Sequence, residues 1–125
     1  MRSLREITFS IQLADPKHEF DPEWDQVLQK LFKLMDKRPK LDSILFLIGV
    51  QELGKGKKVY SKEEKQDLMH IGICKLLSQS GYYEFERTDE DGWPHWKLVK
   101  PLPGFDLMEQ EKFLRKHIIQ YFKDL

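Results

Sequence analysis

The amino-acid sequence predicts an α+β fold of about four helices and a three-stranded antiparallel sheet, made of an N-terminal strand and a C-terminal hairpin. Residues Glu6 to Leu13 alternate apolar and polar without exception. Four later stretches carry apolar residues at helical spacing or helical length between recognisable caps. From Gly81 to Lys100, GYYEFERTDEDGWPHWKLVK holds two aromatic runs around an Asp-Gly turn signal. The 125 residues suit one domain, spanning residues 1–125, that closes its own core without disulfides or metals. A composition of 40% apolar and 34% charged residues, with no repeat or low-complexity tract, predicts a folded chain with short loops.

In the first strand Ile7, Phe9, Ile11 and Leu13 share one face, and Glu6, Thr8, Ser10 and Gln12 the other. Asp21 before Pro22 is an N-cap with proline at the first helical position. The helix that follows turns Trp24, Val27, Leu28, Leu31, Phe32 and Met35 inward until Arg38-Pro39 ends it. ILFLIGV has no clear period and suits a strand as well as a helix, but Lys40 to Leu53 has helical length, with Asp42 and Ser43 near its start and Gly54 at its end. The reading favours a helix. Ser61 and Glu64 form a capping box for a third helix, running to about Ser80 with Gly81 as its stop. In the hairpin, strict alternation turns Tyr83, Phe85, Trp96 and Leu98 to the core and Tyr82, Glu84, Trp93, His95 and Lys97 outward. Pro94 marks an edge or a bulge. Beyond Pro101-Leu102-Pro103-Gly104, Asp106 and Glu109 cap a last helix lined by Leu107, Leu114, Ile118, Tyr121 and Phe122.

Chemistry-bearing motifs are few. No GxGxxG, Walker-type loop or GxSxG occurs, and Gly54-Lys55-Gly56-Lys57-Lys58 lacks the spacing and the Ser/Thr of a phosphate loop. His70 and Cys74, four apart, share a helix face as metal ligands do, yet their neighbours are apolar and no second cysteine exists, so a buried pair without metal is expected. Asp89, Glu90 and Asp91 sit at a hairpin tip and read as a solvated turn. No catalytic residue, metal site or cofactor site is expected, and the chain reads as non-enzymatic. The absence of a signal-like or membrane-length apolar run, with a single cysteine, points to the cytoplasm.

Helices followed by a hairpin, over roughly Pro22 to Val99, resemble the winged-helix fold. Winged-helix domains are commonly transcription regulators, and the resemblance implies that the helix Ser61 to Ser80 would enter the major groove. LDSILFLIGVQELGKGKK and EDGWPHWKLV are in addition similar to a small, uncharacterised bacterial protein family, which implies a bacterial cytoplasmic origin and adds nothing to mechanism. The net charge of zero hides a basic third, Lys30 to Lys65, with ten Lys/Arg against five Asp/Glu, and an acidic hairpin, Tyr82 to Lys100, with three against five. Arg38, Lys40, Lys55, Lys57, Lys58, Lys62 and Lys65 are the candidate nucleic-acid contacts. The acidic hairpin and the charge-balanced third helix disfavour that use.

The stretches Leu41 to Leu53 and Leu68 to Leu77 look apolar nearly all round, and a domain of this size is expected to bury only one such helix. Gly49 and Gly72 would permit close helix approach. The expectation is a protein-interaction module, homodimeric or bound to a protein partner, with Ile71, Tyr82, Trp93 and His95 as exposed anchors.

Overall fold

The computed structural model describes residues 21–35, 39–55 and 59–124. In chain order they form α1 (Pro22–Met35), α2 (Leu41–Leu53), α3 (Lys62–Ser78), β1 (Tyr83–Thr88), β2 (Pro94–Leu98) and α4 (Leu107–Lys123). The fold is α+β, and its sheet among the described residues is the antiparallel pair β1 and β2. The predicted strand Glu6 to Leu13 lies outside the described residues.

Local chemistry sets the helix ends. Asp21 Oδ1 accepts the backbone N–H groups of Glu23 and Trp24 and so opens α1. Ser61 with Glu64, and Asp106 with Glu109, form complete capping boxes on α3 and α4. The ILFLIGV run is helical within α2, which ends at Gly54 with φ of 72°, where the glycine N–H donates to the Val50 carbonyl.

α2 and α3 cross backbone to backbone at two glycines. A Cβ on Gly49 would stand 1.9 Å from the Leu68 carbonyl oxygen, and one on Gly72 would stand 2.3 Å from that of Leu45. With no side chains at the crossing, each helix presents apolar residues on both sides of it. Leu41, Ile44, Leu45 and Ile48 of α2 join Ile73, Cys74, Leu76 and Leu77 of α3 in the main core, closed by Trp24, Leu28 and Leu31 of α1, Tyr83 of β1 and Leu114, Ile118 and Tyr121 of α4. On the other side Leu53, Tyr60, Leu68 and Ile71 form a second cluster with Phe46, Val50 and Trp93 packed on it.

The expectation that only one of these helices could be buried is therefore corrected. Close approach lets one domain bury α3 from Leu68 to Leu77, apart from Met69 and Lys75, while α2 keeps only Phe46, Leu47 and Val50 as partly covered apolar residues. Complete burial is worth about 1.5–3 kcal/mol for each large aliphatic side chain, so the second cluster contributes to stability as well as the first.

β1 and β2 pair Tyr83 with Leu98, Glu84 with Lys97, Phe85 with Trp96, Arg87 with His95 and Thr88 with Pro94. The register shifts between Phe85 and Arg87, so Glu86 is a bulge and strict alternation fails there. Tyr83 is buried and Trp96 partly buried, as expected, but Phe85 is 55% and Leu98 38% exposed. A twisted two-stranded ribbon lays one diagonal, Tyr83 and Trp96, on the core and lifts the other away from it.

Candidate protein-docking surface

The chain leaves β2 through a stretch that stays on the surface. Val99 N–H donates to the Tyr82 carbonyl and closes the ladder, and Pro101 and Pro103 have no N–H with which to extend it. Leu102 packs against the main core and anchors the stretch. Leu98, Val99, Phe105, Leu107 and Met108 are each between 37% and 44% exposed. Five of the eight large apolar side chains exposed among the described residues thus fall within the eleven residues 98–108. Leu107, expected on the inner stripe of the last helix, is among them: it opens the first turn of α4, and the buried stripe begins later with Leu114, Ile118 and Tyr121.

A row of aromatic rings lies beside this stretch. Phe105 and Tyr82 both stand edge-on to Phe113, at centroid distances of 5.3 and 5.7 Å. Lys100 places its ammonium 4.1 Å above the Tyr82 ring and donates at 3.0 Å to the Ser80 carbonyl. Of the four expected anchors, Tyr82 is the one positioned at this surface, half-buried and covered by a cation.

Trp93 and Ile71 meet elsewhere. Ile71 is 1% exposed at the centre of the second cluster, which corrects its assignment as an exposed anchor: the crossing of α2 and α3 turns it inward. Trp93, expected outward, is half-buried against the same cluster. The tip is organised by Asp89, whose Oδ1 accepts the N–H groups of Asp91 and Trp93 at 2.9 and 3.0 Å while Oδ2 pairs with His95 Nε2 at 2.8 Å. The His95 contact, then the Trp93 N–H, holds the Asp89 carboxyl below its ordinary value. His95 is thus engaged within the hairpin.

The candidate lysines among the described residues do not form one patch. Lys40 precedes α2 and Lys55 follows it, so about 20 Å of helix lies between them. Lys55 gives its ammonium to the Asp91 carbonyl at the hairpin tip. Lys62 and Lys65 are exposed at the start of α3, interleaved with Glu63 and Glu64. Arg38, Lys57 and Lys58 lie outside the described residues.

Several other polar side chains in the interior are paired. His70 Nε2 lies 3.4 Å from Cys74 Sγ, with the His70 ring edge-on to Tyr83. No group of three or more His, Cys, Asp or Glu suited to a metal ion occurs among the described residues. Glu52 accepts the Tyr121 hydroxyl at 2.9 Å and lies 3.8 Å from Lys75, joining α2, α3 and α4. Burial first, and then the Glu52 carboxylate, pushes the Tyr121 phenol far above its usual value. Glu111 and Arg115 pair at 2.7 Å, with the guanidinium 5.0 Å from the Trp24 ring centre. Ser80 Oγ lies 2.7 Å from His117 Nε2, across the joint between the end of α3 and α4.

Sequence reasoning missed Val99, Phe105, Met108, Ser80 and His117. A signal existed for the first three, in the apolar residues scattered on either side of a Pro-Leu-Pro-Gly break that no strand or helix can absorb. None existed for Ser80 and His117, which are 37 residues apart. No helix among the described residues is long and apolar enough to cross a membrane. Scans against protein-family models, curated proteins and solved structures return no match.

Proposed function

We propose that this chain is a non-enzymatic, cytoplasmic protein-interaction module that pairs with a second copy of itself through the surface from Leu98 to Met108. The observation that carries the reading is the concentration of exposed apolar side chains in that one stretch. By their exposures they offer about 400 Å², on the scale of patches that mark interaction sites. Each partner in a stable interface gives about 800 Å², so a polar rim supplies the other half, and Lys97, Lys100 and Glu84 are exposed nearby to do so. Tyr82 is retained as an anchor, and Ile71 is not.

The winged-helix-like arrangement, with Glu6 to Leu13 as a third strand, belongs to the same proposal. Its support is the order of three helices and a hairpin anchored on the core by Tyr83. The alternative, nucleic-acid binding through the lysines, is less favoured because Lys40 and Lys55 are separated by the length of α2.

Met108→Glu tests the reading. Residue 108 lies in the first turn of α4, where a carboxylate is favourable to the helix, so the variant keeps the fold while charging the surface. Sedimentation velocity is expected to show a wild-type dimer and a folded monomeric variant. A wild-type chain that stays monomeric at about 100 μM, well above the micromolar range of specific association, would overturn self-association.

A further inference from the structure

Ser80 is exposed in the turn after α3, and His117 projects toward it from α4 with little of its own surface accessible. His117 Nδ1 is 2.7 Å from the Phe113 carbonyl oxygen, a group that can only accept. Nδ1 therefore carries the proton of the neutral ring, and Nε2 offers its lone pair to the Ser80 hydroxyl 2.7 Å away. The Phe113 ring, 4.5 Å from the imidazole, helps fix its tilt. Hydroxyl, imidazole and an acceptor that orients the imidazole are the parts of an activated serine.

We propose that Ser80 is a nucleophile that accepts acyl groups from activated aryl esters, with His117 as its general base. Ser80 Oγ attacks the ester carbonyl carbon and the new O–C bond forms as His117 Nε2 takes the hydroxyl proton. The bond from carbon to the aryloxy oxygen then breaks, and the departing phenolate takes the proton from Nε2. The products are acyl-Ser80 and a phenol, with nothing oxidised or reduced.

Burial holds His117 below its ordinary value, so the base form prevails at neutral pH. The main-chain N–H groups of Ser80, Gly81 and Tyr82 already donate to the carbonyls of Leu77, Ser78 and Leu77, so they are not available to an oxyanion. Lys100, fixed at the Ser80 carbonyl, is the cation beside the reacting group. With no donor pair for either oxyanion, only the step that expels a stabilised aryloxide proceeds, and the acyl-serine, an ordinary alkyl ester, persists, which makes Ser80 a stoichiometric acceptor and is consistent with a non-enzymatic module. The reactive pair borders the proposed docking surface, with which it shares Lys100 and the Phe113 ring.

The whole chain is treated with p-nitrophenyl acetate at neutral pH, and acetylation is mapped by tandem mass spectrometry of the tryptic peptide 76–87. That peptide holds both Ser80 and Ser78, whose hydroxyl is bonded to the Lys75 carbonyl and has no imidazole as a hydrogen-bond partner. Ser80 is expected to acetylate about 100-fold faster than Ser78, the lower range of general-base catalysis, and His117→Gln to bring it to the Ser78 rate. Equal labelling of the two serines in the wild-type chain overturns the proposal, a comparison that needs no variant to fold. So does an unchanged Ser80 rate in a His117→Gln variant of native circular dichroism.

Discussion

Replacing Gly49 by alanine sets two effects of opposite sign against each other. In mid-helix the change gains about 1 kcal/mol of helix propensity. Against this, the new methyl carbon would lie 1.9 Å from the Leu68 carbonyl oxygen and 2.6 Å from its carbon, where ordinary contacts begin near 3.4 Å. The obstacle is backbone and cannot rotate away, so the helices must part by about 1.5 Å, and a gap of only about 0.5–1 Å already forfeits a quarter to a half of each dispersion contact across it. Both apolar clusters straddle this crossing and both loosen. Overpacking costs about 1–3 kcal/mol and sometimes more, so Gly49→Ala is expected to lose about 2 kcal/mol net. Gly72→Ala, whose Cβ would meet the Leu45 oxygen at 2.3 Å, is expected to lose somewhat less. Gly104, with nothing within 4 Å of its Cβ position, is the control and should stay within about 0.5 kcal/mol. Urea unfolding followed by circular dichroism reads all three. A gain of stability for Gly49→Ala would refute the backbone contact, because propensity alone would then have decided the outcome.

Ile71→Glu should fail to give a cooperatively folded protein, since it places a carboxylate in the second cluster; a folded monomer would return Ile71 to the surface. Trp93→Ala uncovers that cluster only in part and should cost about 1–3 kcal/mol by the shift in urea midpoint, whereas no change would make Trp93 a free surface ring. His117 gives a pH signature: burial, aided by the charge of Lys116 and opposed by the Phe113 carbonyl, holds its imidazole below 6.5. The unfolded chain then takes up the proton first as pH falls, so stability is complete above about 6.5 and declines on acidification below it. Urea midpoints at pH 7.5 and 5.5 should fall further apart in the wild type than in His117→Gln, and an equal fall in both would contradict this source of acid sensitivity.

The elements legible in the sequence are those whose cause is local. Ser61 with Glu64 and Asp106 with Glu109 announce helix starts because each pair satisfies backbone donors within one turn. Gly54, Gly81 and Gly92, at φ of 72°, 79° and 84°, mark a helix end and two turns for the same reason. Gly49 and Gly72 were legible as contact points, but their consequence depends on two helices meeting, and that is why Ile71 was misplaced. The bulge at Glu86 and the twist that lifts Phe85 and Leu98 off the core have no local signature in an alternating run. The docking surface was hidden for a related reason. Apolar residues beside prolines look like core until the structure shows them exposed, with no element among the described residues packed over them.

Photo-cross-linking from position 105 tests the central claim most directly. A benzophenone amino acid in place of Phe105 puts the reactive group within the proposed surface. Irradiation is expected to yield a covalent dimer whose cross-links map to residues 98–108 of the second copy, and Met108→Glu should abolish it. Cross-links confined to one chain, or a dimer joined away from residues 98–108, would contradict the account.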